Sequence, residues 1–370
     1  GSYTSFINNA QYGYIWYGWT DGNNDHIAQR SEVNFNNILY AYNINPDCPT
    51  CPNPNRVNPD LKGPTTQEIV LGFEHELFTG LAVSVNGTYR KMNDLVWFQN
   101  FGLNPNGSMH LYTRDDFELS DYVEGTDVNG NPYRIPYYGL KATAPGPTGR
   151  YLSNRPDYSQ QYKGIELQLN KRYADNWSAR FGFSYNDWTQ DVGSGAFFDP
   201  SNQLNQTVYG STTGGSIDDG GPVVYNVGVG SGAKGNVYIN SKWQMNVNAL
   251  YTLPWGGLNV AGNFFARQGY PILFIDTNGD PGDGLGPRNL LINPIGTKRN
   301  PTVANLDLRL EKPIKIQNIT LSLSVDAFNV LNSNVTLQRK SDVSQSSHAG
   351  GDITEVQSPR VFRFGGRITF

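Results

Sequence analysis

Apolar and polar residues alternate with a period of two in nine stretches of the chain, and eight of these form pairs joined by very short connections. In the first pair Ile69, Leu71 and Phe73 share one parity. After residues 78–80 the pattern resumes through Leu81, Val83, Val85, Gly87 and Tyr89, with Ser84, Asn86, Thr88 and Arg90 on the other parity. The second pair runs through Ile165, Leu167 and Leu169, turns at 173–176 and returns through Ala179, Phe181, Phe183 and Tyr185. Met245, Val247, Ala249, Tyr251 and Leu253 turn at 255–257 into Leu258, Val260 and Phe264. Leu306, Leu308 and Leu310 turn at 315–318 into Ile319, Leu321, Leu323 and Val325. The last stretch ends the chain, where Phe362, Phe364, Ile368 and Phe370 oppose Arg363, Arg367 and Thr369. Period-two alternation predicts strands with one apolar and one polar face, and the short connections predict antiparallel hairpins.

The segments between these hairpins differ in kind. Residues 18–66, about 95–159, 190–240, 269–301 and 331–358 are long and rich in Asn, Gly, Pro, Asp and Ser. Loops beyond about 12 to 15 residues are uncommon in compact soluble domains. Short turns at one end of the strands and long loops at the other are the asymmetry of an outer-membrane barrel. The parity opposite the apolar one carries Glu68, Glu74, Glu76, Arg90, Glu166, Arg180, Arg267, Asp307, Arg309, Asp326, Arg363 and Arg367. An Arg or Lys facing lipid at the bilayer midplane costs roughly 2 to 4 kcal/mol, so this face is expected to line a watery interior. Tyr89, Tyr173, Trp177, Tyr251 and Trp255, near strand ends, suit an interfacial girdle. The expected fold is all-β, an antiparallel transmembrane β-barrel over residues 67–370, preceded by a strand and extracellular-loop region over residues 1–66.

Composition agrees. Charged residues make up 16% and aromatics 13% of the 370 residues, against about 25% charged residues in typical soluble domains. No run of 18 apolar residues offers a transmembrane helix, which leaves a barrel untouched because its strands bury only alternate residues in lipid. A net charge of −4 gives no electrostatic footprint for nucleic acid.

Three longer stretches carry a family resemblance: NPDLKGPTTQEIVLGFEHEL (58–77), NLDLRLEKPIKIQNITLSLSVDAFNVLN (305–332) and SPRVFRFGGRITF (358–370). Together they resemble the C-terminal barrel half of TonB-dependent outer-membrane receptors, most closely the Oar-like group with its N-terminal carboxypeptidase-regulatory-like domain. The resemblance covers roughly residues 50–370, and DAFNVLN (326–332) with Phe370 is its most specific part. It implies the bacterial outer membrane as location and active transport of an unidentified extracellular substrate. The TonB complex would act through a plug that this chain does not contain. Phe370 would be the assembly signal read by the barrel-assembly machinery.

The chain also departs from the family pattern, with no plug-like segment. Residues 67–370, or 370 − 66 = 304 residues, hold nine strands at about 34 residues each. A 22-stranded plugged transporter at that spacing would need roughly 740 residues. The expectation is therefore a chain holding the last nine or ten strands of such a barrel. A tenth strand within 10–18 or 33–42 would instead permit a complete small barrel. A passive porin and a surface adhesin are the alternative functions.

Candidate chemistry is sparse. His26, His75, His110 and His348 show no metal spacing, no Ser/His/Asp arrangement can be argued, and an enzyme is not expected. Cys48 and Cys51, in a loop expected to face the oxidising exterior, are read as a local disulfide. Asp276, Asn278, Asp280 and Asp283, and secondly Asp21, Asn23, Asp25 and Glu32, place oxygens at alternate positions as calcium loops do. Asp127, Asn129 and Asn131 repeat the pattern more weakly, and ordinary Asx-rich turns are the competing reading for all of them. Tyr12, Tyr14 and Trp16, with Trp97 and Phe98, are candidate stacking platforms for an extracellular ligand, or else girdle and strand packing.

Overall fold

The computed structural model describes residues 14–42, 54–127, 129–155, 158–191, 199–201, 241–272, 274–293, 298–344 and 351–370, and four two-residue strands between 207 and 239. Helix among the described residues is confined to the single turn Arg114–Asp116. The nine alternating stretches are nine strands: β1 Thr65–Phe78, β2 Leu81–Asn93, β3 Ser159–Ala174, β4 Trp177–Asp191, β5 Trp243–Thr252, β6 Asn259–Arg267, β7 Val303–Ile316, β8 Ile319–Phe328 and β9 Val361–Thr369. They form one antiparallel sheet in sequence order. The tight turns follow local chemistry. Asp175 and Asn176 both take left-handed backbone between β3 and β4 (φ 53° and 67°), as a two-residue hairpin of matching twist requires.

Register carries the apolar parity across the whole sheet without a slip of face. Leu71, Gly87, Ile165, Tyr185 and Trp243 form one row, and Phe73, Val85, Leu167, Phe183, Met245, Ala266 and Ala304 the next. Further along, Val325 stands opposite Phe364 and Leu321 opposite Ile368. Much of this face is not covered by protein: Leu71 is 74% and Phe364 78% exposed, although Ala266 is buried. Apolar exposure on this scale marks a surface that meets something other than water.

Charge on the apolar parity occurs only at its two margins. Lys163 and Asp187 stand opposite each other toward the long-loop end. His75, Lys171 and Lys312 lie toward the short turns, and the Lys171 ammonium donates to the Arg172 carbonyl at 2.8 Å. The eight steps from Lys163 to Lys171 are about 26 Å of strand. Lys163 at the long-loop margin is exposed, whereas Lys171 at the other margin is buried with its ammonium held by backbone carbonyls.

The long connections are not structureless. Val96–Leu103 pairs with Pro147–Asn154, Phe117–Thr126 with Pro132–Leu140, and Ile275–Gly279 with Arg288–Leu291. These strands hold most of the buried apolar side chains, among them Phe101, Leu152, Ile275 and Leu290. Arg56–Val57 pairs with Tyr151–Leu152, and Val57 and Leu61 pack on Val96 and Leu152. Residues 54–62 therefore belong to the loop assembly.

No tenth strand joins the sheet from the described residues. Tyr14–Trp19 and Val33–Tyr42 instead pair with each other, Tyr14 opposite Tyr42 and Trp19 opposite Val33, as a separate hairpin. Because nine strands alternate in direction, β1 and β9 run the same way along the two edges of the sheet.

Candidate functional site

The polar parity of the sheet is a second continuous surface. Asn170, Arg180, Asn248, Asn263 and Asp307 stand in one row, and Arg309, Asp326 and Arg363 in another. Asp326 is buried between two guanidiniums, Arg309 at 3.3 Å and Arg363 at 2.9 Å, while Arg309 also reaches Glu311 at 2.5 Å. Arg90 pairs with Glu68 across β1 and β2. The rows enclose a hollow of about 990 Å³ bordered by Arg180, Asn248, Asn263, Asp307, Arg309 and Arg363. Its chemistry is that of a hydrated wall with donors and acceptors of both signs. The charged parity expected from the sequence is one face.

The DAFNVLN segment shapes the rim of this wall. Asp326 holds the arginines, and the chain then leaves β8 through Asn329 and Asn332, both left-handed (φ 48° and 52°). Asn329 is buried, receives Ser333 N–H at 3.1 Å, and donates to the Ser333 and Ser358 carbonyls at 2.9 and 2.7 Å. Asparagine tolerates this backbone while its amide ties down the exit and the start of β9.

Above the wall, the loop assembly converges on Arg288. Gly282, Gly284 and Gly286 all have positive φ, which curls residues 280–287 back over the following strand. The guanidinium is buried and pairs with Asp199 and Asp283, each at 2.6 Å, and donates to the Tyr138 carbonyl at 3.2 Å. Asp283 also accepts the Leu140 N–H at 3.0 Å, and Ser201 accepts the Tyr138 N–H at 2.8 Å. One side chain thus joins the loops that follow β2, β4 and β6. Burial pushes the Asp199 carboxyl up, against the opposing pull of Arg288 and Ser201. The loop after β8 joins through Thr277, whose hydroxyl shares a hydrogen bond with Ser344 at 2.7 Å.

The residues singled out in the sequence are placed as follows. Asp276, Asn278, Asp280 and Asp283 do not assemble into the expected calcium site, because the protein takes up their oxygens separately. Asp276 is buried and accepts Tyr133 O–H at 2.6 Å and Asn278 N–H at 2.9 Å. Asp280 accepts Gly282 N–H at 2.9 Å, and Asp283 serves Arg288. Burial and the Asp276 carboxylate raise the Tyr133 phenol well above its ordinary value. Asp127 closes an Asx turn on Asn129 N–H at 2.9 Å, also accepts Asn131 N–H at 2.9 Å and meets Lys298 at 3.1 Å. Those bonds hold its carboxyl well below the usual range, the Asn131 backbone bond contributing most.

In the 20–32 loop Asp21 accepts His26 N–H at 3.0 Å, Asp25 accepts Ile27 N–H at 2.8 Å, and Glu32 accepts Gly22 N–H at 2.9 Å. Asn23 accepts Asp25 N–H at 3.0 Å. His26 takes left-handed backbone (φ 61°) at the position where a calcium loop places glycine. Among the described residues no three His, Asp or Glu side chains gather as a metal site.

Trp97 is buried beneath Arg155 at 5.4 Å, and Phe98 stacks under Arg150 at 5.4 Å, so both belong to the loop core and form no open platform. Trp16 is exposed and lies against Tyr14, ring centroids 5.8 Å apart. Phe370 is fully exposed at the short-turn end of the sheet. Tyr12, Cys48 and Cys51 lie outside the described residues. Sequence reading missed Arg288, Asp199 and Tyr133; the glycine-rich PGDGLGPR was the one local sign of a special backbone there.

No protein family and no curated protein matches the chain. Among solved structures it is similar to the outer membrane transporter YddB from Escherichia coli, at 14% identity and TM-score 0.40, over 84% of this chain and 33% of that one. It is also similar to the FrpB iron transporter from Neisseria meningitidis, at 11% identity and TM-score 0.37, over 85% of this chain and 33% of that one. The siderophore receptor PirA from Acinetobacter baumannii follows at 13% identity and TM-score 0.39, over 85% of this chain and 32% of that one. The chain spans about a third of the length of these structures, and likeness at these scores carries no weight by itself.

Proposed function

We propose that this chain is the C-terminal barrel portion of a TonB-dependent outer-membrane receptor of the Oar-like group, working in active import of an extracellular substrate. Its apolar face meets outer-membrane lipid, and its polar face lines the interior against which a plug moves. The observation that supports this reading is the register: nine strands keep one face apolar and the other charged, with short turns at one end and packed loops at the other. Since β1 and β9 run in the same direction, antiparallel closure requires an odd number of further strands between them. This favours a large barrel over one made from these nine strands.

The deciding measurement is made in cells carrying the complete protein. Surface binding of ligand that survives loss of TonB, with uptake that does not, is the expected result. Uptake unaffected by loss of TonB would support the passive porin. The stretch most specific to the family, Phe370, is tested separately: its deletion should lower insertion of newly made protein far more than it lowers the stability of assembled barrel.

A further inference from the structure

Gly87 opens a break in the side-chain cover of the apolar face. Gly87 stands between Leu71 and Ile165, and a side chain placed on it would meet nothing closer than the Leu71 carbonyl at 4.0 Å. The result is a hollow of about 490 Å³ on the outside of the sheet, walled by Ile69, Leu71, Ile165, Tyr89 and Tyr185. One row nearer the loops, Tyr89, Lys163 and Asp187 stand side by side on the same face, at the lip of the hollow. Asp187 is satisfied by Lys242 at 2.9 Å. Lys163 is exposed and makes no ion pair among the described residues. An apolar slot with an uncompensated ammonium at its outer lip matches a molecule that is apolar along its length and anionic at one end.

We propose that this hollow is a docking site for a phosphorylated lipid of the outer leaflet, one acyl chain lying over Gly87 and the phosphate meeting Lys163. The proposal rests on the reading that this face lies in the membrane. An acyl chain supplies the apolar contacts that glycine leaves open, each buried methylene contributing about 0.8 kcal/mol in general. A phosphate at the interface gives Lys163 a charge-assisted partner. Flanking tyrosines suit the same level, with rings toward the chains and hydroxyls toward the headgroups.

The test uses the complete protein that carries this chain, folded into phosphatidylcholine bilayers, extracted with mild detergent, and weighed by native mass spectrometry after exposure to lipid A or to its dephosphorylated form. Wild type should retain lipid A preferentially. Lys163→Gln should reduce that preference about tenfold, and Gly87→Leu should abolish retention of both forms, while Lys312→Gln at the opposite margin changes neither. Protease protection of the sheet in the bilayers is read in parallel. If the variants insert normally and retain lipid A as wild type does, the docking site is wrong and the membrane reading stands. If the wild-type complete protein fails to insert, the membrane reading falls and takes the site with it. A mass corresponding to two copies in place of bound lipid would also overturn the proposal.

Discussion

The sheet and the loop assembly use the same apolar residue types and place them in opposite surroundings. In the loops Leu152 and Leu290 are fully buried, packed by short strands contributed from distant parts of the chain. In the sheet Leu71 and Phe364 stand open, along rows where alternate residues share one exposed face. Charge follows the same contrast. Arg288 is enclosed with two carboxylates in the loops, whereas Arg363 and Arg367 stand exposed on the polar wall. The loops satisfy apolar groups with protein, as a soluble domain does. The sheet leaves that to its surroundings.

Four experiments would sharpen or break this contrast. The largest effect is expected from Arg288→Met, which strands Asp199 and Asp283 without their cation. Removing one partner of a buried pair costs about 3 to 5 kcal/mol. Hydrogen exchange should accelerate in Pro132–Leu140 and Arg288–Leu291 and stay unchanged in β3 and β4. Acceleration throughout the sheet would mean that the two regions fold as one unit.

Phe183→Arg places a cation in the middle of the apolar face. Depth-dependent costs for barrels give roughly 2 to 4 kcal/mol, read from urea-driven unfolding in vesicles. Little or no loss would remove this face from the membrane.

A matched pair of truncations comes next. Leu290→Ala leaves a cavity in the loop core and should cost about 2 to 5 kcal/mol. Leu308→Ala, on the lipid side, should cost only the transfer part, about 2 kcal/mol, because lipid can fill the gap. Equal costs at both sites would show that Leu308 packs on protein.

The smallest effect concerns Asp127. Its folded-state pKa is depressed, chiefly by the Asn131 backbone bond, so its stabilising contribution is fully present above the ordinary aspartate range. That contribution is lost as pH falls through the folded-state value. Limited proteolysis near residue 127 should therefore increase in strongly acid buffer in wild type. Asp127→Asn should already be susceptible at neutral pH and show a flatter acid response.

Much of the sheet was legible because its code is local. A strand that separates two environments must alternate, so Leu167, Leu169, Phe181 and Phe183 announce both strand and face without reference to any distant residue. The charged parity was readable for the same reason, down to Asp326 with Arg309 and Arg363. The strands within the loops were not legible because they are short and flanked by Pro and Gly. Val96–Leu103 and Pro132–Leu140 show no long alternating run, and their apolar residues find partners only across the assembly.

The candidate sites divide along the same line. The spacing of Asp276, Asn278, Asp280 and Asp283 suggested one calcium loop, yet the fold brought Tyr133, 143 residues away, onto Asp276 and turned Asp283 toward Arg288. Trp97 looked like an exposed aromatic at a strand end and became part of a core. The chain's own pattern determined nine strands, their pairing through short turns, and which face is apolar, since periodicity and turn length act between near neighbours. Only the tertiary structure decided that the loops pack into one body around Arg288 and that Gly87 opens a hollow above Leu71. Those outcomes depend on side chains that meet across strands and loops far apart in sequence, where no local pattern records the partner.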